Sequence, residues 1–140
     1  MVNIILDKNK GFKPDSNVAG DDLLENLGGR PQPFMLWKNL FHMGISPIQS
    51  VVKVDDTVSG IEEGLNAGCW TVGVSDWGNY MNINSMSEYE KMSYYQLEEK
   101  KKIAKKKLLN SGAHYIIDSV VNLPKVIDDI HEKLESEVPP

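Results

Sequence analysis

The sequence predicts an α/β fold in which a Rossmann-like parallel sheet is flanked by helices in three layers. Three short apolar runs, at residues 51–55, 70–74 and 114–117, have the length and the β-branched content of buried strands. Helical patterns separate these runs. Connections of that length between neighbouring strands are typical of right-handed crossovers, which make the strands parallel.

The first part of the chain contributes mainly helix to this prediction. Apolar positions in residues 2–10 indicate the stub of an amphipathic helix, and residues 17–19 indicate a short strand. Pro33 then begins a helix that extends to residue 43 and ends at Gly44. Its apolar face is predicted to comprise Phe34, Trp37, Leu40 and Phe41.

The second part alternates helix and strand. A helix is predicted over residues 58–67 because Gly68 follows it as a stop signal. A polar loop spans residues 76–84, and a charged helix is predicted over residues 87–110. A last helix is expected over residues 124–134.

Composition sets the class of protein. The 140 residues are enough for one domain with a real core. The net charge of −5 argues against nucleic-acid binding, and no apolar stretch reaches the 18 residues of a membrane span. The single cysteine, Cys69, is expected to be a small core residue, and the absence of a cysteine pair fits a reducing, cytoplasmic location.

Two adjacent acids, Asp55 and Asp56, end the first predicted strand. Ligands of open α/β sheets bind at the carboxyl ends of the strands, which is where these acids are expected. Two carboxylates about 4 Å apart repel by about 4 kcal/mol at an effective dielectric near 20. A hard cation such as Mg²⁺ relieves this repulsion, because it prefers oxygen ligands. The alternative is that both acids serve only the N-terminus of the following helix.

Two basic residues are further candidates. Arg30 follows two glycines and precedes a proline at a helix start, a position suited to binding an oxyanion or a phosphate. A plain surface arginine is the alternative. Lys53 lies between valines in the first predicted strand. It is either a cleft-facing functional group or a strand residue with solvent access at one end.

The lysine-rich part of the chain, residues 100–107, resembles a basic patch. Glutamates precede it on the same predicted helix, so pairing at i,i+4 on a solvated face is a better interpretation than nucleic-acid binding. The three histidines lack the spacing of zinc ligands.

Several segments together resemble phosphonoacetaldehyde hydrolases, members of the haloacid dehalogenase superfamily. They are GRPQPFM at 29–35, VKVDDT at 52–57, EGLNAGCWTVGV at 63–74, SGAHYIIDS at 111–119 and LP at 123–124. The resemblance extends from about residue 11 to near the C-terminus. Residues 1–140 therefore resemble the C-terminal portion of a haloacid dehalogenase-like core domain.

The resemblance implies a mechanism. In the family, an aspartate attacks phosphorus after a cap lysine has formed a Schiff base with the substrate aldehyde, and Mg²⁺ assists. The products are acetaldehyde and phosphate. Carried onto this chain, Arg30 holds phosphate, Asp56 is the principal acid of the metal site and Asp55 is the second acid. Some members place the second aspartate four residues later, where this chain has Gly60.

The resemblance also limits what is expected of the chain alone. The family's nucleophile strand and its cap lysine precede the matched segments, and Lys53 is no substitute for that lysine. We therefore expect no catalysis by this chain by itself, an exposed sheet edge, and doubtful formation of the family's homodimer. The expected substrate is a small phosphonate. The alternatives are a non-catalytic metal- or partner-binding fragment, or another phosphatase of the superfamily.

Overall fold

A three-stranded parallel sheet forms the centre of the protein. The computed structural model describes residues 13–23, 26–76 and 78–140. The sheet order is β1–β2–β3, and the strands are β1 Val52–Asp55, β2 Trp70–Val74 and β3 Tyr115–Ile117. Asp55 is in register with Gly73, and Val74 with Ile117, so the three strands end at one edge. The predicted Rossmann-like α/β sheet is confirmed.

Five α-helices accompany the strands in the described residues. They are α1 Phe34–Met43, α2 Val58–Ala67, α3 Met86–Lys91, α4 Tyr94–Asn110 and α5 Leu123–Glu135. Side-chain caps begin three of them: the hydroxyl of Thr57 accepts the Gly60 N–H, and Ser85 and Ser93 cap α3 and α4 in the same way. Gly44 and Gly68 end α1 and α2 with positive φ angles of 63° and 85°.

Some sequence predictions differ from the structure. Residues 17–19 form no strand. The charged helix predicted over residues 87–110 is two helices, because Ser93 and Gln96 form a capping box that begins a new one. Phe41, predicted to lie on the apolar face of α1, is 84% exposed, whereas Leu40 is buried. The helix predicted over residues 2–10 lies outside the described residues.

The core lies between the sheet and helices α2 and α4. Ile61 of α2 and Leu108 of α4 are fully buried and form one cluster with Ala113. On the opposite face, α5 contacts β3 through Asp129 and Lys133, which both bind the Tyr115 hydroxyl. Helices thus cover both faces of the sheet, which places the strand ends between them.

Close approach of α2 to the sheet depends on Gly64. A Cβ added to Gly64 would lie 2.6 Å from Thr71 Cγ2 and 2.9 Å from Lys53 Cβ. Next to this contact, Cys69 is 1% exposed, as predicted for a core residue. In the described residues, no further strand pairs with the outer edges of β1 and β3, and no helix is long and apolar enough to cross a membrane.

His114 links the start of β3 to β2, and it makes the stability of the fold depend on pH. Its Nδ1 accepts the Thr71 N–H at 3.0 Å, so the imidazole is needed in its neutral form. Burial, followed by the charge of Lys133, lowers the pKa of His114 below 6.5. Its contribution is therefore complete above the unfolded pKa of about 6.5 and is lost as the pH falls through the folded pKa.

We expect the melting temperature to fall between pH 7 and pH 5, with part of this fall due to His114. Thermal unfolding of the His114→Asn variant tests this, because the asparagine oxygen keeps an acceptor for the Thr71 N–H but does not titrate. The variant should lose less stability over this pH range than the unaltered chain. An equal loss in both proteins would assign the pH dependence to other groups.

Candidate functional site

An aspartate follows the end of every strand in the sheet. Asp55 and Asp56 end β1, Asp76 follows β2, and Asp118 follows β3. Because the strands are parallel and in register, these four acids lie along one edge. The surroundings of each acid differ, and they decide which of them is available to a ligand.

The carboxylate of Asp55 is paired on both oxygens. Oδ1 accepts the N–H of Thr57 at 3.0 Å and its hydroxyl at 2.7 Å. Oδ2 lies 3.3 Å from Arg30 Nη1 and 3.2 Å from Lys53 Nζ. Burial alone would raise the pKa of Asp55, but the Thr57 hydrogen bond and the charges of Lys53 and Arg30 outweigh it and lower the pKa. Asp55 is therefore ionised at neutral pH.

Glu63 completes a buried ionic cluster with these residues. Its side chain is 2% exposed, and its Oε2 lies 2.9 Å from both Arg30 Nε and Lys53 Nζ. The cluster contains two cations, Arg30 and Lys53, and two anions, Asp55 and Glu63, so its net charge is zero. Each buried charge has a partner, which is the condition for tolerating it in the interior.

Asp56 is the least paired of the strand-end acids. The only hydrogen bond to its side chain within the described ranges comes from the Asn79 N–H, at 2.9 Å from Oδ2. It lines a cavity of about 300 Å³ that also contacts Asp55, Asp76, Gly78 and the ends of β1 and β2. Within the described ranges, the other oxygen of Asp56 accepts no hydrogen bond.

The other two strand-end acids are neutralised by α4. Lys101 Nζ lies 2.9 Å from Asp76, and Lys105 Nζ lies 2.6 Å from Asp118. A hydrogen bond to Asp76 raises the pKa of Lys101, and one from Lys105 lowers the pKa of Asp118. These lysines were expected to pair at i,i+4 within their own helix. Among the described residues, their one contact within the helix is at i,i+3, between Lys101 and Glu98 at 3.8 Å.

The side chains at this edge would supply only part of the ligands of a Mg²⁺ ion. In the ranges that the structure describes, no group of three acidic, histidine or cysteine side chains is placed to hold a metal. Mg²⁺ is commonly bound by one or two carboxylates, with waters and phosphate oxygens as the remaining ligands. Asp56 supplies one such carboxylate in an open cavity that Asp55 and Asp76 also line.

The residues predicted from the sequence thus meet at one edge of the sheet, in an arrangement that the sequence did not show. Arg30 was predicted to lie at a helix start suited to an anion, and its guanidinium in addition contacts Asp55 and Glu63. Glu63 was not among the site residues predicted from the sequence. The signal available for it was its place between Gly60 and Gly64, whose small size indicates a helix face pressed against the sheet.

The chain is similar in sequence to several known proteins. No protein-family model matches the chain. A phosphonoacetaldehyde hydrolase of Vibrio vulnificus is 44% identical over 124 residues, which are 89% of this chain and 45% of the relative. Those of Vibrio cholerae and Salmonella agona are 43% and 44% identical over the same length. The chain is homologous to part of the phosphonoacetaldehyde hydrolases.

A solved structure supports the same relationship. A phosphonoacetaldehyde hydrolase-like protein from Oleispira antarctica superposes with a TM-score of 0.88 at 38% identity, over 97% of this chain and 48% of that one. The chain therefore spans about half the length of the phosphonoacetaldehyde hydrolases that it matches. Its strand-end acids and Arg30 all lie within the described residues.

Proposed function

We propose that this chain supplies the phosphate-binding and cation-binding part of a Mg²⁺-dependent phosphonoacetaldehyde hydrolase. The reaction is hydrolysis of the C–P bond of phosphonoacetaldehyde to acetaldehyde and phosphate. The observation that carries the proposal is the contact between Arg30 and Asp55, whose neighbour Asp56 lines the open cavity at the carboxyl edge of the sheet. The chain is 44% identical to hydrolases of that name.

Each residue has a role in this proposal. Arg30, whose side chain is 40% exposed, presents a fixed positive charge to the phosphonate oxygens, which arginine holds with paired N–H donors. Asp56 is the principal acid of the metal site, beside Asp55. Mg²⁺, when bound, neutralises charge on the phosphorus group. Electrostatic stabilisation of this kind is commonly the largest contribution that such a site makes.

The nucleophilic aspartate and the lysine that forms the Schiff base are assigned, in this proposal, to the other half of the family's chain. Lys53 does not take the lysine's role, because its ammonium group is paired with Asp55 and Glu63 at 3.2 and 2.9 Å. A cytoplasmic location and a small phosphonate substrate belong to the same proposal. We further propose that the family's homodimer does not form from these residues alone.

The proposal is tested by Mg²⁺-dependent release of acetaldehyde from phosphonoacetaldehyde. We expect no turnover by the purified chain alone and turnover when the N-terminal half of the Vibrio vulnificus relative is added. Arg30→Gln should abolish this turnover, whereas Lys125→Gln, an exposed lysine on α5, should leave it unchanged.

The other outcomes decide between the alternatives. Turnover by the chain alone would refute the assignment of the nucleophile to the other half. No turnover in either case, with Mg²⁺ binding retained, would favour a non-catalytic metal-binding module. Hydrolysis of simple phosphate esters in place of phosphonoacetaldehyde would favour another phosphatase of the superfamily.

A further inference from the structure

The two adjacent acids at the end of β1 have different surroundings. Asp55 is turned inward, its side chain is 8% exposed, and both of its oxygens have partners. To bind a cation it would have to give up Thr57 or its contacts with Arg30 and Lys53. Asp56 keeps one oxygen unpaired in the described part of the chain and lines the cavity. The two acids therefore differ in how accessible they are to a cation: Asp55 is enclosed by partners, whereas Asp56 faces the cavity.

Arg30 is held from two sides by buried carboxylates. Glu63 binds its Nε at 2.9 Å, and Asp55 contacts its Nη1 at 3.3 Å. Two contacts on different nitrogens fix both the position and the plane of the guanidinium. The ion pairs of Arg30 in the described ranges use Nε and Nη1. Nη2 is therefore the nitrogen through which the guanidinium would hold an external anion.

We propose that Asp55 and Glu63 are positioning residues that orient Arg30 toward the phosphorus group, and that Asp56 alone of the acid pair binds the cation. This inference rests on the proposed function, and it assigns the roles that the proposed function leaves undivided. Lys53 balances the charge of the two carboxylates, because its Nζ contacts both.

The backbone of α2 has room for this arrangement because residue 60 is glycine. A Cβ on Gly60 would lie 2.0 Å from Asp55 Cγ, so the Asp55 carboxylate occupies the space in which a residue-60 side chain would begin. The space beside Arg30 can therefore hold a carboxylate from residue 55 of β1 or from residue 60 of α2, but not from both at once. The reciprocal variant Asp55→Gly with Gly60→Asp moves the acid from β1 to α2.

Measurement of cation binding distinguishes the roles of Asp55 and Asp56. Titration of the chain with Mg²⁺ by calorimetry should give an affinity at least tenfold weaker for Asp56→Asn. For Asp55→Asn the affinity should stay within about twofold of the unaltered chain. Equal weakening by the two substitutions would make Asp55 a cation ligand and would overturn the assignment.

The positioning role has its own spectroscopic readout, because Arg30 is the only arginine of the chain. Its Nε–H gives a single side-chain signal in an N–H correlation NMR spectrum. In the ligand-free chain, exchange of this proton with water should be at least tenfold faster in Glu63→Asp, whose shorter side chain withdraws the acceptor. Glu62→Asp, the neighbouring position of α2, is the matched control and should leave exchange within about twofold.

Titration with inorganic phosphate supplies the second readout. Removing the negative charge of Asp55 would by itself tighten phosphate binding. Loss of the fixed orientation of the Arg30 guanidinium would weaken it. We expect Asp55→Asn to weaken phosphate affinity at least fivefold and the reciprocal variant to recover most of it. Unchanged or tighter binding by Asp55→Asn would refute the positioning role.

These experiments distinguish the inference from the function on which it rests. If the unaltered chain binds neither Mg²⁺ nor phosphate, the proposed function fails, and the cation assignment fails with it. The Nε–H exchange in the ligand-free chain judges the positioning of Arg30 separately. Equal exchange in Glu63→Asp and Glu62→Asp would overturn that part.

Discussion

Glu63→Ala is expected to lower the free energy of unfolding by about 3–5 kcal/mol, the usual cost of removing one partner from a buried ion pair. The side chain of Glu63 is 2% exposed, and its Oε2 lies 2.9 Å from both Arg30 Nε and Lys53 Nζ. Its removal leaves three charges, with the buried Asp55 as the one remaining anion between two cations. Lys53, only 14% exposed, loses its shorter contact.

Chemical denaturation with urea measures this loss, and Glu62→Ala is the matched control. Glu62 precedes Glu63 on the same helix, is partly exposed and has the same intrinsic helix preference. It should change the free energy of unfolding by less than about 0.5 kcal/mol. A similarly small change for Glu63→Ala would show that the ion pairs of Glu63 with Arg30 and Lys53 are not formed in solution.

Removing both Lys53 and Glu63 is expected to lower the free energy of unfolding by less than removing Glu63 alone. In the double variant Lys53→Met with Glu63→Leu, the buried ammonium and carboxylate disappear together, so no unpaired ammonium remains. A double-mutant cycle gives the coupling between the two positions, which we expect to be at least about 1 kcal/mol. Additive effects would contradict the direct contact.

Gly64→Ala is the second substitution with a large expected effect. The added methyl group would lie 2.6 Å from Thr71 Cγ2 and 2.9 Å from Lys53 Cβ, an atom bound directly to the backbone of β1. Relief therefore requires α2 to move away from the sheet. Overpacking costs about 1–3 kcal/mol, and the high end applies where atoms next to the backbone must move. Alanine is more favourable than glycine in a helix by about 1 kcal/mol, which offsets part of this cost. We therefore expect the free energy of unfolding to fall by about 2 kcal/mol.

Thermal unfolding with Gly20→Ala as control tests this expectation. A Cβ at Gly20 meets no atom within 4 Å, so that variant should be close to neutral. The loss in Gly64→Ala should also weaken the ionic cluster, because Lys53 is displaced by the same methyl group. A stability equal to or above that of the unaltered chain would mean that α2 lies farther from the sheet.

The sheet and most helices could be predicted because their signals are local. The valines of β1 and the glycine after α2 reflect burial and backbone geometry that each segment carries by itself. The position of Asp55 and Asp56 at the carboxyl edge followed from parallel topology. The break between α3 and α4 was also local, but the Ser93 cap was overlooked beside the continuous charge pattern.

The partners of the charged residues could not be predicted, because they come from distant parts of the chain. Arg30 and Glu63 belong to separate segments that meet only after α2 packs on the sheet. Lys101 had glutamates nearby in sequence, yet its shorter contact is with Asp76 at 2.9 Å, against 3.8 Å to Glu98. A charged side chain near the carboxyl edge of a sheet gains more from a partly buried acid than from a solvated neighbour on its own helix.

The lysines of α4 decide where negative charge remains along the carboxyl edge of the sheet. Lys105 pairs with Asp118 after β3, and Lys101 pairs with Asp76 after β2. Leu97, four residues before Lys101 on the same helix, carries no charge. Within the described residues Asp56 has no ion pair, so the unneutralised negative charge of this edge is concentrated at the end of β1.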